Sequence, residues 1–207
     1  MTTGIDRDVG LRVVPANQAT AADLDAIYGT RGAGAMCRCQ RYKLGRKESF
    51  RGVTAAGLRL RQLEQAGCGD ADTDTSGLVG YLDDEPVAWC AVEPRADYQG
   101  LVRVFRVPWD GRNEDRTDRS VWAITCLYTR TGYRGRGISR VMAAAAVGFA
   151  RDNGAAAVEA YPIAHGALTD EGHVGTPATF QAAGLREVHQ PSLRRVVMRI
   201  DFARASA

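Results

Sequence analysis

Residues Tyr133 to Arg140 read Tyr-Arg-Gly-Arg-Gly-Ile-Ser-Arg. An apolar, β-branched and aromatic run, Val121 to Tyr128, precedes them. From Ile138 to Asp152 the residues Ile138, Val141, Met142, Ala145 and Phe149 recur at helical spacing. The segment therefore sits at a strand-to-helix turn. A helix N-terminus exposes unpaired backbone N–H groups and the positive end of the macrodipole. Gly135 and Gly137 let that backbone approach an anion closely, and Arg134 and Arg136 add charge-assisted bonds. Such a turn can hold a pyrophosphate. Arg140, one turn into the helix, either reaches a phosphate or sits on a solvated face. Other phosphate motifs fit poorly. There is no G-x-x-x-x-G-K-[ST], and Gly135-x-Gly137 lacks the third glycine of the dinucleotide fingerprint.

The elements that position this turn can be read around it. Leu11–Val14 is a first strand ended by Pro15, and Thr20 caps a helix running to Tyr28. The glycine-rich stretch 31–46 has no period and is predicted to be a loop. A second helix is expected from Glu48 to Ala66, with Phe50, Val53, Gly57, Leu60 and Leu63 on one stripe. Gly77–Leu82 and Pro86–Val92 flank the turn Asp83-Asp84-Glu85 as a hairpin. Pro94–Ser120 is a polar insertion whose apolar patch, Leu101–Trp109, reads as an edge strand or a flap. Its arginines alternate with acids, which suggests a self-paired mobile flap. After the helix ending near Gly154 come a strand (Ala155–Tyr161), a short helix (Pro177–Ala183) and two strands (Leu185–His189, Arg195–Phe202). This order implies a mixed α/β sheet in one domain spanning 1–207, with a helical part at 11–70 and the motif-bearing core at 75–202.

The turn and the downstream segment resemble the GNAT superfamily of acyl-CoA-dependent N-acetyltransferases. The family's pyrophosphate motif is Arg or Gln, two residues, Gly, any residue, then Gly or Ala. Arg134, Gly137 and Ser139 fill its places, with the small Ser139 as the departure. Ala178-Thr179-Phe180-Gln181-Ala182-Ala183-Gly184-Leu185 is similar to the family's later helix and turn. The resemblance implies a central, mostly antiparallel sheet splayed at the cofactor site. It implies acetyl-CoA as cosubstrate, gripped by Arg134, Gly135, Arg136, Gly137, Ile138 and Ser139. Leu127, Tyr128 and Thr129 would offer backbone groups to the pantetheine arm, with Phe180 beside it. Within the family the chain most resembles a branch marked by Cys37-Arg38-Cys39, Trp122-Ala-Ile-Thr-Cys126 and Val158-Glu159-Ala160-Tyr161-Pro162, and that likeness names no acceptor.

The implied reaction moves an acetyl group to an amine, of a small molecule or a protein, by direct transfer in a ternary complex. That needs a base and a proton for the leaving thiolate. The family often has a tyrosine where this chain has Phe180, which cannot donate a proton. Tyr161 is the substitute, and Glu159 beside the thioester gap is the base, unless it is a structural carboxylate paired with an arginine. Glu93, His165 and His173 are weaker bases, because strand-end acids and loop histidines are more often merely solvated. Cys126 reads as a small buried residue rather than a nucleophile. Trp109 is the candidate wall of an acceptor pocket; Trp89 and Trp122 read as core. The missing hydroxyl at Phe180 keeps an alternative alive, a non-catalytic acyl-CoA-binding sensor.

Composition sets the outer limits. The 207 residues carry 27 basic and 24 acidic groups, a net charge of +3, too mild to imply a nucleic-acid partner. Only Lys43 and Lys47 are lysine, so the other 25 basic residues are arginine. The N-terminus lacks the pattern of a signal peptide and no apolar run is long enough to span a bilayer. A cytoplasmic protein with no membrane partner is expected. Five scattered cysteines argue against a disulfide framework, and Cys37-x-Cys39 lacks the spacing of a zinc site, so no metal is expected. A homodimer is left open.

Overall fold

The computed structural model describes residues 10–103, 105–164 and 173–203. Strand β1 (Arg12–Pro15) leads into helix α1 (Ala21–Tyr28). Thr20 caps α1 reciprocally: its hydroxyl accepts from the Asp23 amide, and the Asp23 carboxylate accepts from the Thr20 amide at 2.8 Å. Helix α2 (Gly32–Cys37) and a short 3₁₀ turn (Gln40–Tyr42) come next. The expected loop at 31–46 is thus partly helical. Its Gly34 serves close approach: a Cβ there would lie 2.3 Å from the Tyr128 ring. Glycine lets the α2 backbone rest on that ring, so what looked like loop composition is packing.

Helix α3 (Ala55–Ala66) starts seven residues later than the expected Glu48. Thr54 accepts from the Gly57 amide at 3.1 Å and sets the boundary. Phe50 falls outside the helix and is 43% exposed. Strands β2 (Gly77–Leu82) and β3 (Glu85–Pro94) form the expected hairpin. Asp83 and Asp84, both at positive φ, make its two-residue turn.

Among its described residues the insertion forms no strand and packs into the fold. It contains a 3₁₀ turn at Arg95–Asp97 and helix α4 (Gln99–Arg103), and it buries Arg95, Tyr98, Leu101 and Trp109. The Trp109 indole donates to the Leu101 carbonyl at 2.8 Å, and the Arg95 guanidinium lies 4.6 Å over its ring. Trp109 is therefore a packing residue of the insertion. The expected self-pairing is present, as in Arg106–Asp110 and Arg112–Glu114.

Strand β4 (Val121–Thr129) and helix α5 (Ile138–Asp152) carry the phosphate motif between them. They are followed by β5 (Ala157–Ala160), α6 (Pro177–Ala182), β6 (Arg186–Ser192) and β7 (Arg195–Asp201). The seven strands form one sheet of order β1-β2-β3-β4-β5-β7-β6. Every neighbouring pair is antiparallel except β4 and β5. The α5 face of the sheet holds one core, built on Val87, Ile124, Met142, Val158, Phe180 and Met198. The α1 face holds a second, including Leu24, Ile27, Tyr28, Trp89 and Tyr128.

Two irregularities in β4 shape the site. Its parallel pairing with β5 runs only from Val121↔Ala157 to Ile124↔Ala160, so beyond Ile124 the two strands part. Its antiparallel pairing with β3 skips Thr125, an extra residue between the partners of Ala91 and Val92. A one-residue bulge reverses the faces of everything after it. Ile124 and Leu127 therefore share the α5 face, while Cys126 and Tyr128 turn to the α1 face.

Candidate functional site

The N-cap residue of α5 leaves the helix end open. Gly137, the residue before α5, has φ +80° and provides no side-chain cap. Gly135 has φ +76°, and a Cβ there would meet nothing within 4 Å. Left-handed backbone at both positions suits glycine and turns the amides of the loop toward one concavity. Arg134 bonds through Nε to the Thr129 carbonyl at 3.3 Å, and Arg136 bonds to the Gly132 carbonyl at 3.2 Å. Those backbone bonds keep both guanidinia at the turn. A cavity of about 300 Å³ lies here, lined by Leu127, Thr129, Tyr133, Arg134, Gly135, Gly137, Ile138 and Ser139. Tyr128, Arg136 and Phe180, expected with them, are not on this wall. Tyr128 faces the other side of the sheet because of the bulge. Phe180 is buried beneath, so close to Gly175 that a Cβ there would lie 2.7 Å from its ring. Thr176 and Thr179 line the wall instead, their hydroxyls 2.9 Å apart. Neither stands out in the sequence, because a capping threonine is an ordinary helix signal.

A second cavity of about 350 Å³ opens on the α1 side of the β4–β5 gap. The paired-cysteine segment forms much of it, through Met36, Cys37, Cys39, Arg41 and Tyr42, facing Thr125 and Cys126 of β4. Arg38 and Cys39 both adopt left-handed backbone, unusual for side chains with a Cβ, and this bend aims the segment inward. Arg38 pairs with Asp25, and Cys39 Sγ shares a 2.9 Å hydrogen bond with the Tyr28 hydroxyl. Two of these thiols, Cys37 and Cys126, are held neutral. A bond with Cys39, then burial, push Cys126 far above the ordinary thiol range, and burial pushes Cys37 up to about 11. His173 lines both cavities, its ring 4.7 Å from that of Tyr128. It is the residue at which they meet. His165 lies outside the described residues.

The two residues expected to move protons lie elsewhere. Glu159 has no exposed surface. Its Oε2 accepts from Arg95 at 2.9 Å and from the Tyr161 hydroxyl at 2.8 Å. Its Oε1 accepts from Arg112 at 2.6 Å and Arg199 at 2.9 Å. Burial alone would raise its pKa, but the Arg112 bond and the Arg95 and Arg112 charges hold it below the ordinary carboxylate range. A carboxylate so held has no affinity to spare for an amine proton. Burial, then the Glu159 charge, push Tyr161 well above the ordinary phenol range, and its proton is already donated to Glu159. The expectation that this pair performs acid–base work is replaced by a structural ion cluster. Glu93 is likewise engaged, paired with Lys43 away from both cavities, and burial raises its pKa against the pull of Lys43. Among the described residues no group of three or more His, Cys, Asp or Glu is placed to hold a metal ion.

Residues 46–167 match the Acetyltransferase (GNAT) family. The chain belongs to this family. Solved structures agree in fold. A putative acetyltransferase, yncA, from Salmonella typhimurium, solved with acetyl-CoA, shares 13% identity at TM-score 0.55, covering 95% of this chain and 96% of that one. A ribosomal-protein-alanine N-acetyltransferase from Brucella melitensis shares 17% identity at TM-score 0.54, covering 93% and 99%. PaiA N-acetyltransferase from Thermoplasma acidophilum, solved with coenzyme A, shares 9% at TM-score 0.53, covering 93% and 99%. No curated protein matches the chain by sequence. In this GNAT chain the parted strands, the open α5 N-terminus and the cysteine-lined cavity converge on one place. Among the described residues no helix is long and apolar enough to cross a membrane.

Proposed function

We propose that this GNAT chain transfers an acetyl group from acetyl-CoA directly to a primary amine in a ternary complex. The observation that carries the reading is that two cavities approach the β4–β5 gap from opposite sides and share His173. One has the makings of a pyrophosphate cradle at its outer end; the other is apolar and reaches Cys126, next to Leu127 of the first. A CoA thioester and an amine could then meet at His173 without leaving their cavities. The residues present suit CoA: Gly137 gives the α5 amides no side-chain cap, and arginines flank them.

Bound acetyl-CoA supplies an activated thioester. The chain supplies position and a proton path. Arg134, the loop amides from Gly135 and Ser139 fix the pyrophosphate, and Leu127 and Thr129 border the pantetheine arm. His173 takes the proton released as the N–C bond forms and returns it to sulfur as the C–S bond breaks, so no net proton is consumed. An imidazole suits both roles because a ring nitrogen can accept a proton and give it back. One shuttling residue also removes the need for a hydroxyl at Phe180. Direct transfer is favoured over an acetylated enzyme because Cys126 is held as a thiol, and the thiolate is the nucleophile. The test is thiol release from acetyl-CoA with a panel of primary amines. The expected result is amine-dependent release with intersecting initial-rate lines and no mass increase on the protein with acetyl-CoA alone. A protein that binds acetyl-CoA but releases no thiol with any amine of the panel would support the sensor reading instead.

A further inference from the structure

The second cavity carries a charge that no described residue neutralises. Arg41 is half-buried on a wall that also holds Met36, Phe50, Tyr42, Val174 and three cysteines. Among the described residues no carboxylate pairs with it, and none accepts a hydrogen bond from its side chain. The neighbouring cations differ: Arg38 pairs with Asp25 and Lys43 with Glu93. Farther off, Arg95, Arg112 and Arg199 all meet Glu159. No Asp or Glu among the described residues lines the cavity, so Arg41 is its one fixed charge there. A half-buried guanidinium with no counter-charge among the described residues favours a bound anion, and its planar fork suits a carboxylate. The rest of the wall wants apolar matter. Met36 is 58% exposed and Phe50 43%, so both offer apolar surface to an occupant of the cavity.

We propose that the amine acceptor is a free amino acid with a large apolar side chain, its carboxylate held by Arg41. The apolar side chain lies against Met36, Phe50 and Val174, and the amine points toward His173 and the β4–β5 gap. This rests on the acetyl-transfer reading and narrows it. The volume of about 350 Å³ is at the small end of the range for ligand sites, about 300–1,000 Å³, which suits one such molecule. Arg41 has a second effect. A fixed positive charge disfavours the ammonium form of a nearby amine, and the neutral amine is the form that attacks. The step balances as written for acetyl transfer: the amine nitrogen gains the acetyl carbon, sulfur leaves, and His173 carries the proton between them.

The test compares L-phenylalanine, L-phenylalaninamide and phenethylamine as acceptors, monitored by thiol release and mass detection of the acetylated product. The expected kcat/KM for the amino acid exceeds that for either carboxylate-free analogue by at least ~10-fold, the range of a hydrogen bond to a charged group. Arg41→Gln is expected to collapse that ratio to about one. Equal thermal stabilisation of both proteins by acetyl-CoA shows that the variant is folded. Turnover of all three acceptors at similar kcat/KM by the wild type would overturn the carboxylate assignment while leaving acetyl transfer intact. A ratio preserved in Arg41→Gln would remove Arg41 from the role. Failure of every amine despite acetyl-CoA binding would sink the transfer reading and this inference together.

Discussion

The Glu159 carboxylate meets three guanidinia and a phenol hydroxyl with no access to water. Removing one partner of such a buried pair strands the others, at a cost of about 3–5 kcal/mol. Glu159→Gln should lose that much at pH 7 in urea denaturation. The pH dependence has a defined sign. The folded pKa lies below the ordinary 4.5, so the stabilisation is complete above about pH 4.5 and is lost as pH falls through the folded value. The gap between wild type and variant should therefore close in acid; a gap that persists unchanged at low pH contradicts an ionised Glu159 at the centre of the cluster. His173 is predicted to behave oppositely. His173→Gln should lower kcat by ~10²-fold or more and flatten the acid limb of the kcat profile, with little loss of stability. A variant with unchanged kcat would remove His173 from the proton path. At this scale the sequence was only partly legible. Glycines and arginines mark the strand-to-helix turn before α5 by local spacing. Nothing local shows that Glu159 faces Arg95, 64 positions away, or that His173 stands between two cavities.

Elements with strong local signals lie where spacing puts them. Helix α5 runs from Ile138 to Asp152 as its apolar period predicts, and the β2–β3 hairpin turns at Asp83-Asp84. Elements held by long-range contacts do not announce themselves. Helix α2 has six residues, too few for a period to show, and three of its positions are Gly34 and its small neighbours Ala33 and Ala35. The insertion looked polar because its arginines and acids find one another and Glu159 only in the folded chain. Gly34 offers a direct test. Alanine there should favour the helix by about 1 kcal/mol. However, its Cβ would lie 2.3 Å from the Tyr128 ring, which is stacked on Tyr28 at 4.7 Å and cannot yield freely. Overpacking of this kind costs about 1–3 kcal/mol. Gly34→Ala is thus predicted to lower the denaturation midpoint, and a raised midpoint would show that α2 does not rest on that ring.

On the scale of the whole molecule, one sheet does two jobs. Its paired part, with cores on both faces, is a rigid frame. Its parted strands, β4 and β5, leave a gap that each cavity approaches from its own side. The abundant arginines divide the same way. Most of the buried ones neutralise acids inside the frame, as at Glu159 and Asp25, while Arg134 and Arg136 stand at the open helix end and Arg41 in the apolar cavity. The central claim is that acetyl-CoA is held at the N-terminus of α5. Isothermal titration of acetyl-CoA into wild type and Gly137→Glu tests it most directly. Binding is expected to the wild type and none to a folded variant, because glutamate puts bulk and negative charge on the phosphate site. Undiminished binding by Gly137→Glu, or none by folded wild type, would contradict it.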